Sequence, residues 1–491
     1  MKTMLTDLPL GPGAWVFIGL YLLGMLGVGF WGRRRRQENT LADHYLGGRD
    51  LGFAILLLSL FATQYSGNSL FGFTGQAYRQ GFAWLMILHA MILIVAGYLM
   101  FAPALHRLAK QQGFITPTDY IQYRFPSRAL QLLASVCMLF ALSNYTLAQL
   151  KVMGHLVEGL TGGHIDAFQG VLALALIMVV YENLGGLRSV AWTDAVQGLL
   201  LLIGFLLLLW IVQSRLGGLM PAIRDLAESA PQKLAVPGPA TQVSWLSMVV
   251  LVGVGASVYP QAIQRLYAAR NSHALRKSLA LMSLVPLFAI TSVILLGIAA
   301  TSQYPGLEGV AADQVLALIM RDLINMGWFG YAVVCLLIAT LLAALMSTAD
   351  SAMLTLSSMV ANDIYRTHLR PKARQSELTR VGKLCSWGVL ALLVWITTLE
   401  ELTLVKLLVL KFEILIQVAP AFYLGLNFRS IGTGPMLAGT VTGLVVAVSL
   451  WSQDASPFGL HAGVVGLLAN VACICMGHWI SMRHSRHRAR T

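Results

Sequence analysis

"AILLLSLFATQYSGNSLFGFTGQAY", residues 54–78, starts as a membrane helix and then departs from that pattern. Up to Leu60 it is apolar apart from Ser59; beyond it come Thr63, Gln64, Ser66, Gly67, Asn68, Ser69, Gly72 and Gly75. Glycine is a poor helix former, and Ser and Asn side chains compete for backbone hydrogen bonds. In hydrocarbon, unwound backbone is tolerated only where it lines a cavity or is buried in protein. The stretch therefore predicts a helix broken at mid-membrane. The alternative is that its small residues only let neighbouring helices pack closely.

The rest of the chain has the character of a membrane protein. Of its 491 residues 57% are hydrophobic and 11% charged, where a soluble domain carries about 25% charged residues; the mean hydropathy is +0.71. The apolar residues fall in runs of roughly twenty, the length that crosses the hydrocarbon core. Thirteen spans are expected, at 12–32, 52–78, 83–105, 131–160, 167–185, 189–213, 244–268, 275–302, 328–362, 380–399, 404–427, 434–452 and 461–481. The first run ends in "GRRRR", with its charge after the run, so no cleavable leader is expected.

The net charge of +13 does not point to nucleic acid, because the basic residues sit in short loops between spans. With the N-terminus outside and the C-terminus cytoplasmic, the segments 33–50, 106–130, 269–274, 363–379 and 482–491 are cytoplasmic. They and their edges hold Arg33 to Arg36, "HRLAK", "ARNSHALRK", "RTHLRPKAR" and "RHSRHRART". The opposite segments 214–243 and 303–327 have few bases and several acids, which satisfies the positive-inside rule. Cys137, Cys335, Cys385, Cys473 and Cys475 all lie in apolar runs without metal-site partners and are read as packing residues.

Span 7 repeats the interruption in "VGVGASVYPQ", with Gly253, Gly255 and Pro260, the proline lacking a backbone donor. Two broken helices in corresponding positions are the sequence pointer to an inverted-repeat transporter. Spans 2–6 (52–213) form the first set of five and spans 7–11 (244–427) the second. Five is odd, so the two sets cross the bilayer in opposite senses. The runs 12–32 and 434–481 are peripheral.

Span 9 contains "AALMSTADSAM", in which Ala344, Ser347, Thr348 and Ser351 are spaced i, i+3, i+4, i+7 on one helical face. Hydroxyls there, opposite free carbonyls near residues 62–65, make a cage of neutral oxygens. Such a cage suits a small monovalent cation, whereas calcium calls for several carboxylates. The ion is read as Na+; the alternative is that the hydroxyls bond back to their own helix. Asp194, near the start of span 6, marks an ion path, because a carboxylate inside a span is costly. Asp350, one turn from the cage, is either buried with a cation, a proton or donors, or solvated in a vestibule.

Five segments in order resemble the sodium:solute symporter family of proline, pantothenate and sodium/glucose transporters. They are "DHYLGGRDLG", "GFTGQAYRQG", "GGLRSVAWTDAVQG", "IQRLYAARN" and "AALMSTADSAMLTLSSMVANDIYR". The resemblance implies an all-α membrane protein with a five-plus-five inverted-repeat (LeuT-like) core and sodium-driven alternating access. Carried onto this chain, it implies a sodium site from the carbonyls of Ala62, Tyr65 and Ala344 and the hydroxyls of Ser347 and Thr348. It also implies a second ion or proton site around Asp194, Asp350 and Ser351, put in doubt by an Asp where the family has a hydroxyl.

The solute is then expected at mid-membrane, with Gln64, Ser66, Ser69, Ser257, Tyr259 and Gln417 as candidates. Lys151 in span 4 either meets a carboxylate solute or snorkels to the interface. Lys411 and Glu413 either pair with each other or face a vestibule, and Arg265 and Arg270 are read as cytoplasmic anchors. The expected activity is sodium-coupled import of a small carboxylate, pantothenate-like compound or amino acid. The partners are the solute, Na+ and the lipid bilayer of the plasma (inner) membrane, with no nucleic acid and no obligate protein partner. The rivals are a proton-coupled carrier, a channel, and a solute-sensing membrane domain acting with a partner. No catalytic constellation is present, so no enzymatic activity is expected.

Overall fold

The computed structural model describes residues 12–34, 40–399 and 404–488; Arg35, Arg36 and residues 489–491 of the expected basic segments lie outside them. Twelve of the described helices are long and apolar enough to cross a membrane. The first is α1 (Pro12–Arg34), which carries Arg33 and Arg34 in its last turn.

The expected span 52–78 is two helices, α2 (Phe53–Gln64) and α3 (Gly67–Gln80), with extended backbone at Tyr65 and Ser66 between them. From α3 the helical path continues through a short turn at Gly81, whose φ is +64°, into α4 (Met86–Gln112). The apolar stretch from Ser69 to Gln112 is 44 residues long. At 1.5 Å per residue that is about 66 Å, roughly twice the hydrocarbon thickness. It therefore holds a half-helix and a whole span, which brings twelve long helices and one broken one into agreement with thirteen crossings.

The chain then forms α5 (Arg128–Leu160), α6 (Ala167–Gly185) and α7 (Leu187–Ser214). The second interruption falls where Gly255 and Pro260 place it, between α8 (Pro239–Ser257) and α9 (Pro260–Ala268). After a short helix at Ser272–Met282 come α10 (Val285–Gln303), α11 (Trp328–Met359) and α12 (Gln375–Thr397). α11 runs unbroken for 32 residues and is buried on every side from Leu337 to Met359. It packs against α2, α5 and α7, so both expected walls of the ion cage meet at its middle. The next span is also interrupted: α13 (Leu404–Leu415) and α14 (Ala419–Asn427) flank a single turn at Ile416–Val418. The last two helices, α15 (Thr433–Ser452) and α16 (Ala462–Arg488), pack chiefly on each other.

Two contacts tie the broken helices together. Leu51, two residues before α2, and Ala269, just after α9, form an isolated parallel bridge, Leu51 N–H to Ala268 O at 3.0 Å and Arg270 N–H to Leu51 O at 2.9 Å. Deeper in, Arg265 of α9 is 1% exposed and pairs with the fully buried Asp194 of α7, Nη2 to Oδ2 at 2.7 Å. Ser59 of α2 joins them, donating to Asp194 Oδ2 at 2.6 Å and accepting from Arg265 Nε at 2.7 Å. Arg265 is thus not the interfacial anchor expected from its place near a span end. All nine residues of α9 are buried, so the guanidinium has no route to solvent and takes the carboxylate facing it. Arg270 does lie at the surface, paired with Asp50 at 2.6 Å.

Gly198, one turn beyond Asp194, lets α7 come this close to α2, since a Cβ there would lie 2.8 Å from the Leu58 carbonyl oxygen. Gly198→Leu is expected to lower the melting temperature and yield of the detergent-solubilised protein. Gly434→Leu, where a Cβ meets open space, should leave both unchanged. Arg265→Ala strands a buried carboxylate and should cost about 3–5 kcal/mol of stability. Asp194→Asn combined with Arg265→Gln should recover much of that loss, which thermal unfolding of the wild type and the two variants would measure.

Candidate ion and solute site

The backbone ladder of α2 ends with Tyr65 N–H on Phe61 O at 3.2 Å, and bonding resumes with Ser69 N–H on Ser66 O at 2.8 Å. Extended backbone at Tyr65 and Ser66 takes the next amide away from the Ala62 carbonyl. That carbonyl accepts the Ser347 hydroxyl of α11 at 3.0 Å instead, while Ser347 also lies 3.4 Å from its own Ala344 carbonyl. Thr348 Oγ1, one residue on, is buried with no hydrogen-bond partner. The Tyr145 hydroxyl of α5 lies beside Ser66 and Thr348. Ala62, Tyr65, Ala344, Ser347 and Thr348 are all fully buried. These oxygens are uncharged, and no group of three or more His, Cys, Asp or Glu gathers anywhere among the described residues. An orphaned hydroxyl beside a carbonyl released from its helix fits an alkali cation, which binds neutral oxygens, better than a divalent or transition metal.

One turn further along α11 the chemistry becomes ionic. Ser351 Oγ accepts from Arg265 Nη2, lies 3.4 Å from Thr63 Oγ1 and donates to Asp350 Oδ1 at 3.3 Å. Asp350 is fully buried and its Oδ2 accepts the Tyr181 hydroxyl at 2.5 Å. Asp194, Asp350 and Ser351 therefore do come together, but around a guanidinium. Asp194 Oδ1 remains buried without a hydrogen-bond partner.

Beside the breaks lies a cavity of about 490 Å³, within the usual range for small-ligand sites. Gln64, Ser66, Ser69 and Tyr259 line its inner end with Tyr145, Lys411 and Phe412. Its outer end reaches Thr241 and the Arg79–Asp313 ion pair, on the face that carries loops 214–243 and 303–327. α9 begins just after the lining residue Tyr259, and its Gln264 is held by Ser358 Oγ at 2.6 Å and Thr355 Oγ1 at 2.8 Å.

Three of the expected solute residues do not line this cavity. Ser257 bonds Val254 O and Tyr423 OH, each at 2.7 Å. Gln417, in the single turn between α13 and α14, faces the peripheral pair, donating to Gly463 O at 2.8 Å and accepting from Asn470 Nδ2 at 3.4 Å. The Lys151 ammonium points to the Leu399 carbonyl at 3.2 Å near the surface, along the snorkelling route. Glu413 turns away from Lys411 and accepts the Gly463 N–H. Sequence reasoning overlooked Tyr145 and Phe412, which are apolar-looking residues inside ordinary spans with no local mark of their role. It named Lys411 without placing it; an ammonium in the middle of an apolar run was the available signal.

The chain matches the model of the sodium:solute symporter family over residues 44–446. It is 27% identical over 471 residues to the sodium/pantothenate symporter of Escherichia coli (strain K12), covering 93% of this chain and 94% of that protein. It is 28% identical over 384 residues to the sodium/proline symporter of the same organism, covering 74% and 72%. In fold it is similar to a Na+-coupled sialic acid symporter solved in a substrate-bound outward-open state, with a TM-score of 0.80 and 19% identity over 96% of this chain and 98% of the other. It is also similar to Mhp1, a nucleobase-cation-symport-1 family transporter solved in a closed conformation, with a TM-score of 0.55 and 14% identity over 90% and 95%. The chain, with its two broken helices facing one continuous one, belongs to the sodium:solute symporter family.

Proposed function

We propose that the protein binds Na+ between the break in α2 and the middle of α11, and that the ion drives import of a small organic solute held in the adjoining cavity. The reading rests on one observation: the Ala62 carbonyl, without an amide partner, faces Ser347 beside the unpartnered hydroxyl of Thr348. Family membership, and relatives that are sodium symporters of pantothenate and proline, support it. In this reading 52–213 and 244–427 are the two inverted repeats, and the basic loops face the cytoplasm. The cavity then opens outward, while Arg265 and Gln264 hold α9 closed on the inner side.

An ion at this site draws α2 and α11 together and disfavours states in which they separate. Coupling follows if the inward-open state binds Na+ more weakly. An inward-negative potential adds about 2.3 kcal/mol per charge per 100 mV.

Ser347→Ala and Thr348→Ala each remove one ligand from the site. Each should raise the sodium concentration for half-maximal uptake in proteoliposomes roughly tenfold or more, as the loss of a charge-assisted bond of about 1.5–3 kcal/mol requires. Wild-type sodium activation in both variants would rule the assignment out.

A role for protons has its own support. Asp194, Asp350 and Arg265 sum to one negative charge in a buried cluster, with Asp194 Oδ1 unpartnered, so a proton or a second cation balances it. Asp350→Asn neutralises the cluster and should leave uptake sodium-driven while flattening its dependence on external pH. A profile as steep as that of the wild type would place the titrating group elsewhere.

A further inference from the structure

Lys411 is a cation of the membrane core that faces the cavity. It is 2% exposed on α13 and lines the inner end of the cavity. Its ammonium lies 3.7 Å from the Tyr145 ring centroid, 4.9 Å from that of Phe412 and 5.8 Å from that of Tyr259. Tyr145 and Tyr259 stack with their centroids 5.3 Å apart and their planes 16° from parallel, so the cation rests on a fixed aromatic platform. Ring faces attract a cation, but by less than desolvation penalises an unpaired ion.

Among the described residues no carboxylate answers it, and Lys411 makes no ion pair. The carboxylate nearest in sequence, Glu413, is engaged with Gly463 on α16. The other charged residues lining the cavity, Arg79 and Asp313, neutralise each other at the outer end. Among the described residues the cavity wall therefore carries one uncompensated positive charge, and it sits at the inner end. Tyr145 also joins this charge to the proposed sodium site, since its ring lies beside the ammonium and its hydroxyl beside Ser66 and Thr348. Loading Na+ there puts a second positive charge in the same low-dielectric space, and repulsion disfavours that unless an anion arrives with it.

We propose that the transported solute is a small monocarboxylate whose carboxylate is bound by the Lys411 ammonium above Tyr145 and Tyr259. The proposal rests on the sodium-symport reading and names the chemical class of its solute. It also supplies a coupling device: the solute anion offsets the joint charge of Lys411 and Na+, so each cargo favours binding of the other. A neutral or zwitterionic solute does not perform this role.

The test uses purified full-length protein with propionate, lactate, pyruvate, benzoate, nicotinate and pantothenate. Each is paired with its uncharged amide or alcohol and measured by thermal shift in sodium and in choline chloride. Radiolabelled sodium binding is measured separately, without solute. At least one acid should stabilise the wild type in sodium and not in choline, with no effect from its uncharged partner. K411M should lose roughly tenfold or more in affinity for that acid, as loss of a charge-assisted bond requires, while still binding radiolabelled sodium; K411R should retain part of the affinity. Stabilisation by none of the acids, equal stabilisation by acid and uncharged partner, or undiminished acid affinity in K411M would overturn the proposal. If K411M does not fold, the wild-type comparison of acid with amide still decides. A wild type that prefers the acid without binding sodium would support the anion site and reject the sodium reading.

Discussion

A backbone carbonyl released from its helix inside a membrane must find another partner, and the arrangement of this protein follows from where that partner lies. At Ala62 it is the hydroxyl of Ser347 at 3.0 Å, on a helix that does not break. Lipid offers no hydrogen bonds, so a gap in α2 is tolerated only if other helices surround it. The central helix α11 meets that need, buried along most of its length and in contact with α2, α5 and α7.

Charge in the core is arranged in the same two-ended way. On the side of the basic loops, Arg265 is enclosed by Asp194, Ser59 and Ser351 and fastens the half-helix α9 to its neighbours. On the other side, Lys411 faces a cavity with aromatic rings beneath it. Both are cations inside a membrane protein, yet among the described residues one has an ion-pair partner and the other has none. That difference underlies the proposal that Arg265 closes one side and Lys411 binds the solute.

The two breaks were legible in the sequence because their causes are local: clustered glycine and small polar residues after Leu60, and glycines before Pro260. The hydroxyl face of α11 was legible from helical spacing. The destinations of charged side chains were not, because a cation near a span end looks the same whether it reaches solvent or an acid on another helix. Arg265 and Arg270 are five residues apart in one motif, and one is 1% exposed while the other is 57% exposed. Only the packing of α7 against α2, with Gly198 at the contact, shows that Asp194 is within reach of the first. Lys151 and Lys411, each left with two alternatives by the sequence, are separated for a similar reason. Each lies in a long apolar run, and it is the rotation of α5 and α13 in the bundle that turns one towards the surface and the other towards the cavity.

The most direct test of the central claim is a density map of the purified protein, at a resolution that separates Na+ from water, recorded once in sodium and once in choline. The account predicts density between the Ala62 carbonyl, Ser347 Oγ and Thr348 Oγ1 in sodium that is lost in choline. Identical density in both, or a sodium-dependent peak only beside Asp194, would contradict it.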